Sequence, residues 1–203
     1  MKPKILITGR YKLKNNKQLF YLDKGWKKFF KSLNCSYKLF NNNIGSLKNY
    51  HCLIVSGGGD IFKISKNKLD KKRDKVEMKL IKKFIKFQKP IITVCRGFQL
   101  IASYTGNKII KIPNHVRTTN NIKILKNNYI KFKNLKTNSY HNLGFKKLNN
   151  KFKILGKTND NCIEIALYSK NVLCLMFHPE RKNNDFKKIK TIIKKQIENK
   201  LCN

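Results

Sequence analysis

Cys95 is the residue of this sequence whose setting most clearly indicates chemistry. It directly follows the apolar run PIITV, and a helical pattern begins at Phe98. A nucleophile on such a strand-to-helix turn forms an elbow, which exposes its side chain and needs a small residue two positions later. Gly97 stands at that position. Because a helix N-terminus behind the sulfur favours the thiolate, we predict that Cys95 is a nucleophile.

A thiolate nucleophile needs a partner that accepts and returns a proton. Among His51, His115, His141 and His178, the last has the best setting, because it follows the buried-strand pattern LCLMF. Glu180 lies two positions beyond it. Side chains two positions apart on an extended chain point the same way. Glu180 can therefore hold the second ring nitrogen of His178 and orient the ring, as the third member of a catalytic triad does.

A glycine-rich string and the first amide of the helix after Cys95 are candidates for stabilising an oxyanion. The string GGGD at 57–60 follows a predicted strand. Glycines allow the backbone to approach a ligand closely, and fixed backbone N–H groups are the usual donors to a developing oxyanion. We therefore expect these donors to come from Gly58 or Gly59 and from Arg96.

The elements that must position these residues alternate between short apolar strands and amphipathic helices. Continuous apolar strands alternating with helices indicate a parallel sheet covered on both faces, so the expected fold class is α/β. No linker or repeat divides the chain, and a single domain over 1–203 is expected. The main strands are predicted at 4–8, 36–40, 51–55 and 90–94, the helices at 22–34, 70–87 and 184–200, and shorter strands at 108–112, 121–126, 129–132, 152–157, 162–168 and 172–177.

The charge of the chain allows three interpretations. Its 203 residues include 47 Lys+Arg and 10 Asp+Glu, which gives a formal charge of +37. Such a charge suits a nucleic-acid binder, or it could steer an anionic substrate. However, 42 lysines accompany only 5 arginines and 26 asparagines, and the lysines are scattered along the whole chain. Arg is the usual reader of phosphates and bases, so we interpret the charge mainly as a compositional background.

Other features of the sequence favour a reduced, cytoplasmic protein. No run of about 18 apolar residues is present, so we expect no membrane partner. The first residues do not have the pattern of a signal peptide. The six cysteines include no C-x-x-C pair, and their spacing predicts neither a disulfide framework nor a metal site.

Three strings together resemble a known family. VCRGFQL at 94–100, FHPE at 177–180 and GGGD are similar to the class I glutamine amidotransferase-like superfamily, and more closely to its γ-glutamyl-γ-aminobutyrate hydrolase-like branch, the peptidase C26 group. RDKVE at 73–77 and NSYH at 138–141 fit the same branch. The resemblance implies a flavodoxin-like three-layer sandwich with a mostly parallel central sheet. It also implies hydrolysis of a γ-glutamyl amide through a glutamyl thioester, without a metal or an organic cofactor.

The resemblance also implies a role for each motif. Cys95 would be the nucleophile, His178 the general base and acid, and Glu180 the residue that orients the histidine, with the oxyanion donors named above. The residues that would surround the glutamyl group are Gln99, Asn138, Ser139, Tyr140 and His141.

Two arginines are candidate substrate contacts because of their own settings. Arg10 follows the first predicted strand, at the edge where sheets of this kind bind ligands. Arg117 follows His115 closely and could meet an anionic leaving group. We expect both to take part in substrate binding.

The leaving group is the open question at this point. The positive field favours a phosphate- or nucleotide-bearing γ-glutamyl compound, such as γ-glutamyl-CDP-amidate of capsular phosphoramidate biosynthesis. Three alternatives remain: γ-glutamyl-γ-aminobutyrate hydrolysis in polyamine catabolism, a glutaminase subunit of a two-component amidotransferase, and, from a different class, a basic nucleic-acid-binding protein. We expect a small-molecule substrate, no nucleic-acid partner, and a monomer or homodimer.

Overall fold

The computed structural model describes residues 2–14, 17–41 and 44–198. Its helices are α1 (Lys24–Leu33), α2 (Phe62–Ser65), α3 (Lys68–Lys86), α4 (Arg96–Tyr104) and α5 (Phe186–Ile197). Its strands are β1 (Lys4–Ile7), β2 (Arg10–Lys14), β3 (Lys17–Tyr21), β4 (Ser36–Leu39), β5 (Cys52–Val55), β6 (Ile91–Val94), β7 (Ile110–Lys111), β8 (Val116–Ile124), β9 (Asn134–Tyr140), β10 (Leu143–Gly144), β11 (Phe152–Lys157), β12 (Ile163–Tyr168) and β13 (Val172–Leu175).

Nine strands form the central sheet, in the order β4-β1-β5-β6-β13-β12-β11-β8-β9. The first five strands in this order run parallel to one another. From β13 onward, neighbouring strands pair antiparallel. The pairs β2–β3 and β7–β10 form two small antiparallel sheets of their own. The parallel half needs long crossover connections, and the helices supply them.

Strands of the parallel half are buried on both faces, because successive side chains enter two different cores. Ile5 and Ile7 pack in the core that includes Trp26 of α1 and Ile189 of α5. Leu6, between them, packs in the core formed with α3 and α4. The helices thus form layers on both sides of the sheet. The expected α/β three-layer class is confirmed, with an antiparallel extension of the sheet beyond β13.

The carboxyl ends of four parallel strands meet at one edge of this sheet. The chain passes from β1 to Arg10, from β5 to the glycine string at 57–59, from β6 to Cys95, and from β13 towards His178. Ligands bind at this edge in open α/β sheets. The fold therefore brings together motifs that are far apart in the sequence.

The prediction of a strand at 129–132 is wrong, because a side chain replaces the strand pairing there. The Asn127 Oδ1 accepts hydrogen bonds from the backbone N–H groups of Tyr129 at 2.7 Å and Ile130 at 2.8 Å. This turn, which Asn side chains favour, places Ile130 in the core without a ladder. The strand predicted at 108–112 is reduced to Ile110–Lys111.

Two features of the fold had no clear signal in the sequence. Strand β9, with the sequence NLKTNSY, has Leu135 as its only buried apolar residue, although its central positions are buried. The hairpin of β2 and β3 also went unpredicted. Helix α5 ends at Ile197, and the last residues of the helix predicted at 184–200, like Cys202, lie outside the described residues. Within the described ranges, no helix combines the length and apolarity that crossing a membrane requires.

Candidate active site

The turn between β6 and α4 holds Cys95 in the conformation of a nucleophile elbow. Cys95 has φ 49° and ψ −102°, a backbone region that is strained for a residue with a side chain. Its N–H donates to the Leu175 carbonyl at 2.7 Å, which ties the elbow to β13. A Cβ on Gly97 would lie 2.6 Å from the Val55 carbonyl oxygen. Only glycine lets α4 approach β5 this closely, which explains the small residue that the sequence pattern required.

His178 and Glu180 form the pair that their spacing predicted. The His178 Nδ1 and the Glu180 Oε1 are 2.7 Å apart, and both side chains are almost fully buried. Asn138 fixes the backbone of His178 from both sides. Its Oδ1 accepts from the His178 N–H at 3.0 Å, and its Nδ2 donates to the His178 carbonyl at 2.7 Å. Glu180 therefore holds the His178 ring at its Nδ1, and Asn138 holds the backbone of the same residue.

Gly57 shows how close Cys95 and His178 lie to each other. A Cβ built on Gly57 would be 2.6 Å from the His178 Cε1, 3.3 Å from its Nε2 and 3.3 Å from the Cys95 Cβ. The missing side chain leaves room for the sulfur and the imidazole on the same side of the glycine string. The structure thus brings the predicted nucleophile, base and orienting carboxylate together.

The charges around His178 favour its protonated form. Burial by itself lowers the pKa of the imidazole, but the Cys95 sulfur and the Glu180 carboxylate outweigh that effect and raise the pKa to about 9. An imidazolium at this position already carries the proton that a leaving group will need.

A buried ionic cluster supports the elbow and the glycine string from behind. We call it the Arg–acid cluster: Arg73, Asp74, Glu77 and Arg96, each exposed by 3% or less. The Arg96 guanidinium pairs with both Asp74 and Glu77, and the Arg73 Nε donates to Glu77 at 2.9 Å. Burial opposes ionisation of Glu77, but the two arginines hold the pKa of this carboxyl below its usual value.

The same two arginines hold the backbone of the glycine string. Arg73 donates to the carbonyls of Ser56 at 3.0 Å and Gly58 at 2.7 Å, and Arg96 donates to the Asp60 carbonyl at 2.9 Å. With these carbonyls turned towards the cluster, the segment has a fixed orientation. In the sequence, RDKVE at 73–77 was only a part of the family resemblance.

The predicted oxyanion donors flank Cys95. Gly58 and Gly59, with φ of 89° and 74°, line the same cavity as the cysteine. The N–H of Arg96 is the first of α4, so it has no acceptor within the helix.

A cavity of about 290 Å³ opens over Cys95. Larger clefts elsewhere on the surface are lined by none of the residues of this site. Asp60, Asn142 and Arg181 line the cavity without having been predicted; for Arg181 the signal was its place directly after the FHPE string. The predicted residues that line it are Arg10, Gly58, Gly59, Cys95, Gln99, Tyr140, His141 and His178.

Three predicted substrate contacts do not line this cavity. Asn138 instead positions His178, and the Ser139 hydroxyl donates to the His115 carbonyl at 2.6 Å. Arg117 is exposed on β8 beside a register shift that follows Val116. Arg117, which has φ 57° at this bulge, is not among the residues that line the cavity.

Residues that could hold a metal ion adjoin the cavity but do not include the nucleophile. In the part of the chain that the structure describes, they are His115, His141, Cys162 and Glu164. The His141 ring lines the cavity, although its nitrogens lie near the Leu143 carbonyl and the Glu164 carboxylate.

We expect NMR titration of the His178 ring to report a pKa near 9 in the wild-type protein. In Cys95→Ser the pKa should fall towards the ordinary value of 6.5, because a serine hydroxyl carries no negative charge to stabilise the imidazolium. Cys52→Ser, in the core strand β5, is the matched control and should leave the His178 titration unchanged. An unchanged pKa in Cys95→Ser would contradict the pairing of sulfur and imidazole.

Comparison with solved structures agrees with the observed fold. A glutamine amidotransferase from Thermotoga maritima superposes with a TM-score of 0.72, over 100% of this chain and 99% of that one, at 12% sequence identity. An identity this low supports a shared fold alone.

Comparison by sequence gives the family. The chain is 33% identical to the γ-glutamyl-CDP-amidate hydrolase of Campylobacter jejuni, over 64% of this chain and 62% of that protein, so the match spans less than two thirds of the relative. It is 27% identical to a glutamine amidotransferase-like protein of Lactococcus lactis, over 66% of this chain and 70% of that one. The Peptidase C26 family profile matches residues 45–180, which include both the elbow and the His178–Glu180 pair. The chain therefore belongs to the peptidase C26 family.

Proposed function

We propose that this protein is a cysteine-dependent hydrolase that cleaves a γ-glutamyl amide bond and releases glutamate. The observation that carries the proposal is the placement of Cys95, on a strained elbow, beside the buried His178–Glu180 pair and under an open cavity. Family membership supports the same reaction class. A reduced thiol is required, which fits a cytoplasmic enzyme.

In the first half of the proposed reaction, the Cys95 thiolate attacks the γ-carbonyl carbon of the substrate. The carbonyl oxygen becomes an oxyanion, which accepts hydrogen bonds from the N–H of Arg96 and from the glycine string. The His178 imidazolium then gives its proton to the leaving nitrogen. The C–N bond breaks, the amine departs, and a γ-glutamyl thioester remains on the sulfur.

In the second half, His178 acts as a base. It takes a proton from water, the resulting hydroxide attacks the thioester carbonyl, and the C–S bond breaks to release glutamate. The cysteine returns as a thiolate and the ring as an imidazolium. Glu180 stabilises the imidazolium in both halves of the reaction. Asn138 holds the backbone of His178, so that the ring stays beside Cys95.

The wall opposite the glycine string is suited to the glutamyl part of the substrate. Gln99 lines the cavity while its Nε2 donates to the Leu143 carbonyl at 2.9 Å. This bond orients the side-chain amide, whose oxygen is then available to the substrate α-amino group. The backbone after Ser139 and the ring edge of Tyr140 complete that side. We propose that these groups hold the α-amino and α-carboxylate ends.

Two arginines at the rim of the cavity favour a leaving group that carries phosphate. Arg10 lies over the glycine string so closely that a Cβ on Gly58 would be 2.0 Å from the arginine Nε. On another side, the Arg181 guanidinium lies 4.3 Å from the centre of the Tyr140 ring. Arg binds phosphate with several fixed donors. We therefore propose a nucleotide-linked substrate such as γ-glutamyl-CDP-amidate, the compound in the name of the Campylobacter relative, because its phosphates offer these arginines more acceptor oxygens than the single leaving-group carboxylate of γ-glutamyl-γ-aminobutyrate does.

We expect Cys95→Ala to reduce kcat/KM for γ-glutamyl amide hydrolysis by at least about a thousandfold, since no other group can form the thioester. Glutamate release would be followed with γ-glutamyl-CDP-amidate, γ-glutamyl-γ-aminobutyrate and glutamine. Cys174→Ala, in the core of β13, is the control and should keep its activity. Hydrolysis by Cys95→Ala at the wild-type rate would contradict the proposal. Glutamine turnover that requires a second protein would favour an amidotransferase subunit.

The role of Arg10 can be tested by substrate preference. Arg10→Met should lower kcat/KM about 10- to 100-fold for the phosphate-bearing substrate, the value of one charge-assisted hydrogen bond. Its effect on γ-glutamyl-γ-aminobutyrate should be smaller, because that leaving group carries one carboxylate in place of the phosphates. Arg117→Met, which removes an exposed arginine away from the cavity, is the matched control and should change neither value. Equal losses on both substrates in Arg10→Met would assign Arg10 a structural role instead.

A further inference from the structure

Beside the cavity, four side chains with metal-binding atoms converge in the interior. They come from separate segments: His115 precedes β8, His141 follows β9, and Cys162 and Glu164 lie at the start of β12. Each is exposed by 5% or less. One ligand atom from each lies within 4.8 Å of the others. We call this group the His–Cys–Glu cluster; the proposed hydrolysis makes no use of it as a unit.

Three of these atoms form a nearly regular triangle. The His115 Nδ1 is 3.4 Å from the His141 Nε2 and 3.4 Å from the Glu164 Oε1, and the latter two atoms are 3.1 Å apart. Ligand atoms bound at Zn–N and Zn–O distances in a tetrahedral site lie about 3.3 Å from each other. The triangle therefore has the size of one face of a tetrahedral zinc site, and Cys162 supplies a fourth vertex.

The outer nitrogens of both rings have partners of the kind that metal-bound histidines use. The His115 Nε2 lies 3.2 Å from the Asp160 Oδ2, and the His141 Nδ1 lies 3.2 Å from the Leu143 carbonyl. A neutral ring that donates outward directs the lone pair of its other nitrogen inward. In that tautomer, two lone pairs and a carboxylate oxygen face one another, as the ligand atoms of a metal ion do.

The remaining contacts show that the protein itself satisfies the cluster only in part. The Asn120 Nδ2 lies 2.9 Å from the His115 Nδ1 and 3.4 Å from the Glu164 Oε1, so its amide partly fills the role of a cation. This amide would turn aside when an ion binds. The Glu164 Oε2 accepts no hydrogen bond from the described residues, although the side chain is fully buried.

We propose that His115, His141, Cys162 and Glu164 bind one divalent transition-metal ion of the zinc type. Two imidazole nitrogens, a thiolate and a carboxylate form a mixed donor set that suits zinc in a closed, four-coordinate site. Binding requires the Cys162 thiol to release its proton to solvent. The thiolate and the carboxylate then balance the two charges of the ion, so the buried site is neutral.

Such an ion would act on the structure rather than on the bond that is cleaved. It would join the loop before β8, the end of β9 and the start of β12. Because His141 also lines the cavity, occupancy would fix the wall next to Tyr140. The sequence did not indicate this site, because its ligands are spread over 50 positions in three segments and form no short motif.

The test is a titration of the chelator-treated protein with Co²⁺, which shows intense visible bands in tetrahedral sites and a thiolate charge-transfer band when sulfur is bound. We expect one Co²⁺ per chain with both signatures, and displacement by Zn²⁺. Cys162→Ser should lose the charge-transfer band. Asp160→Asn, which alters only an outer partner, should weaken binding about 10- to 100-fold.

The controls separate this site from the catalytic sulfur. Cys95→Ser and Cys174→Ser should both keep the full cobalt spectrum. A wild-type protein that binds no tetrahedral Co²⁺ would overturn the proposal, as would a charge-transfer band that survives in Cys162→Ser or disappears in Cys95→Ser. The readout is spectroscopic and uses the wild-type chain, so it is independent of whether γ-glutamyl hydrolysis is the correct activity.

Discussion

The Arg–acid cluster is the interaction on which the arrangement of this active site depends. Arg96 belongs to the nucleophile elbow, yet its guanidinium reaches the two acids of α3, and Arg73 of α3 reaches back to the glycine string. One network thus fixes the elbow and the string relative to each other. Removing one member of a buried ion pair leaves an uncompensated charge and typically costs about 3–5 kcal/mol. The cluster therefore makes the relative placement of nucleophile and oxyanion donors hard to change.

The distribution of arginine gives the basic composition a different meaning. Of the five arginines, Arg73 and Arg96 support the site and Arg10 and Arg181 line its cavity, whereas only Arg117 is away from it. Among the lysines whose side chains the structure describes, none lines the cavity. On a solvated surface, lysine and arginine can replace each other. Where a carboxylate or phosphate must be oriented, the fixed fork of donors of arginine is required. The proposed preference for an anionic leaving group therefore rests on the local arginines and not on the +37 charge.

Short sequence patterns were sufficient to predict those parts of the site whose residues lie close together in the sequence. Cys95, Gly97 and the His178–Glu180 pair depend on a turn or a two-residue spacing, and the structure has Cys95 and Gly97 on that turn and His178 in contact with Glu180. Asn138 and the Arg–acid cluster act through contacts between distant segments, which become visible only once the strand order is known. The Asn127 turn shows where a short pattern fails. The stretch after it has a pattern typical of a strand, but it forms a loop because the Asn127 side chain accepts hydrogen bonds from two of its backbone N–H groups.

The central claim is that catalysis proceeds through a covalent γ-glutamyl group on Cys95. The most direct measurement is rapid acid quenching of the wild-type protein during turnover of a γ-glutamyl amide, followed by mass spectrometry of the intact chain and its peptides. The geometry predicts a transient mass increase of one glutamyl group, located on the peptide that contains Cys95. Steady turnover with no adduct, or an adduct on another cysteine such as Cys162, would contradict it.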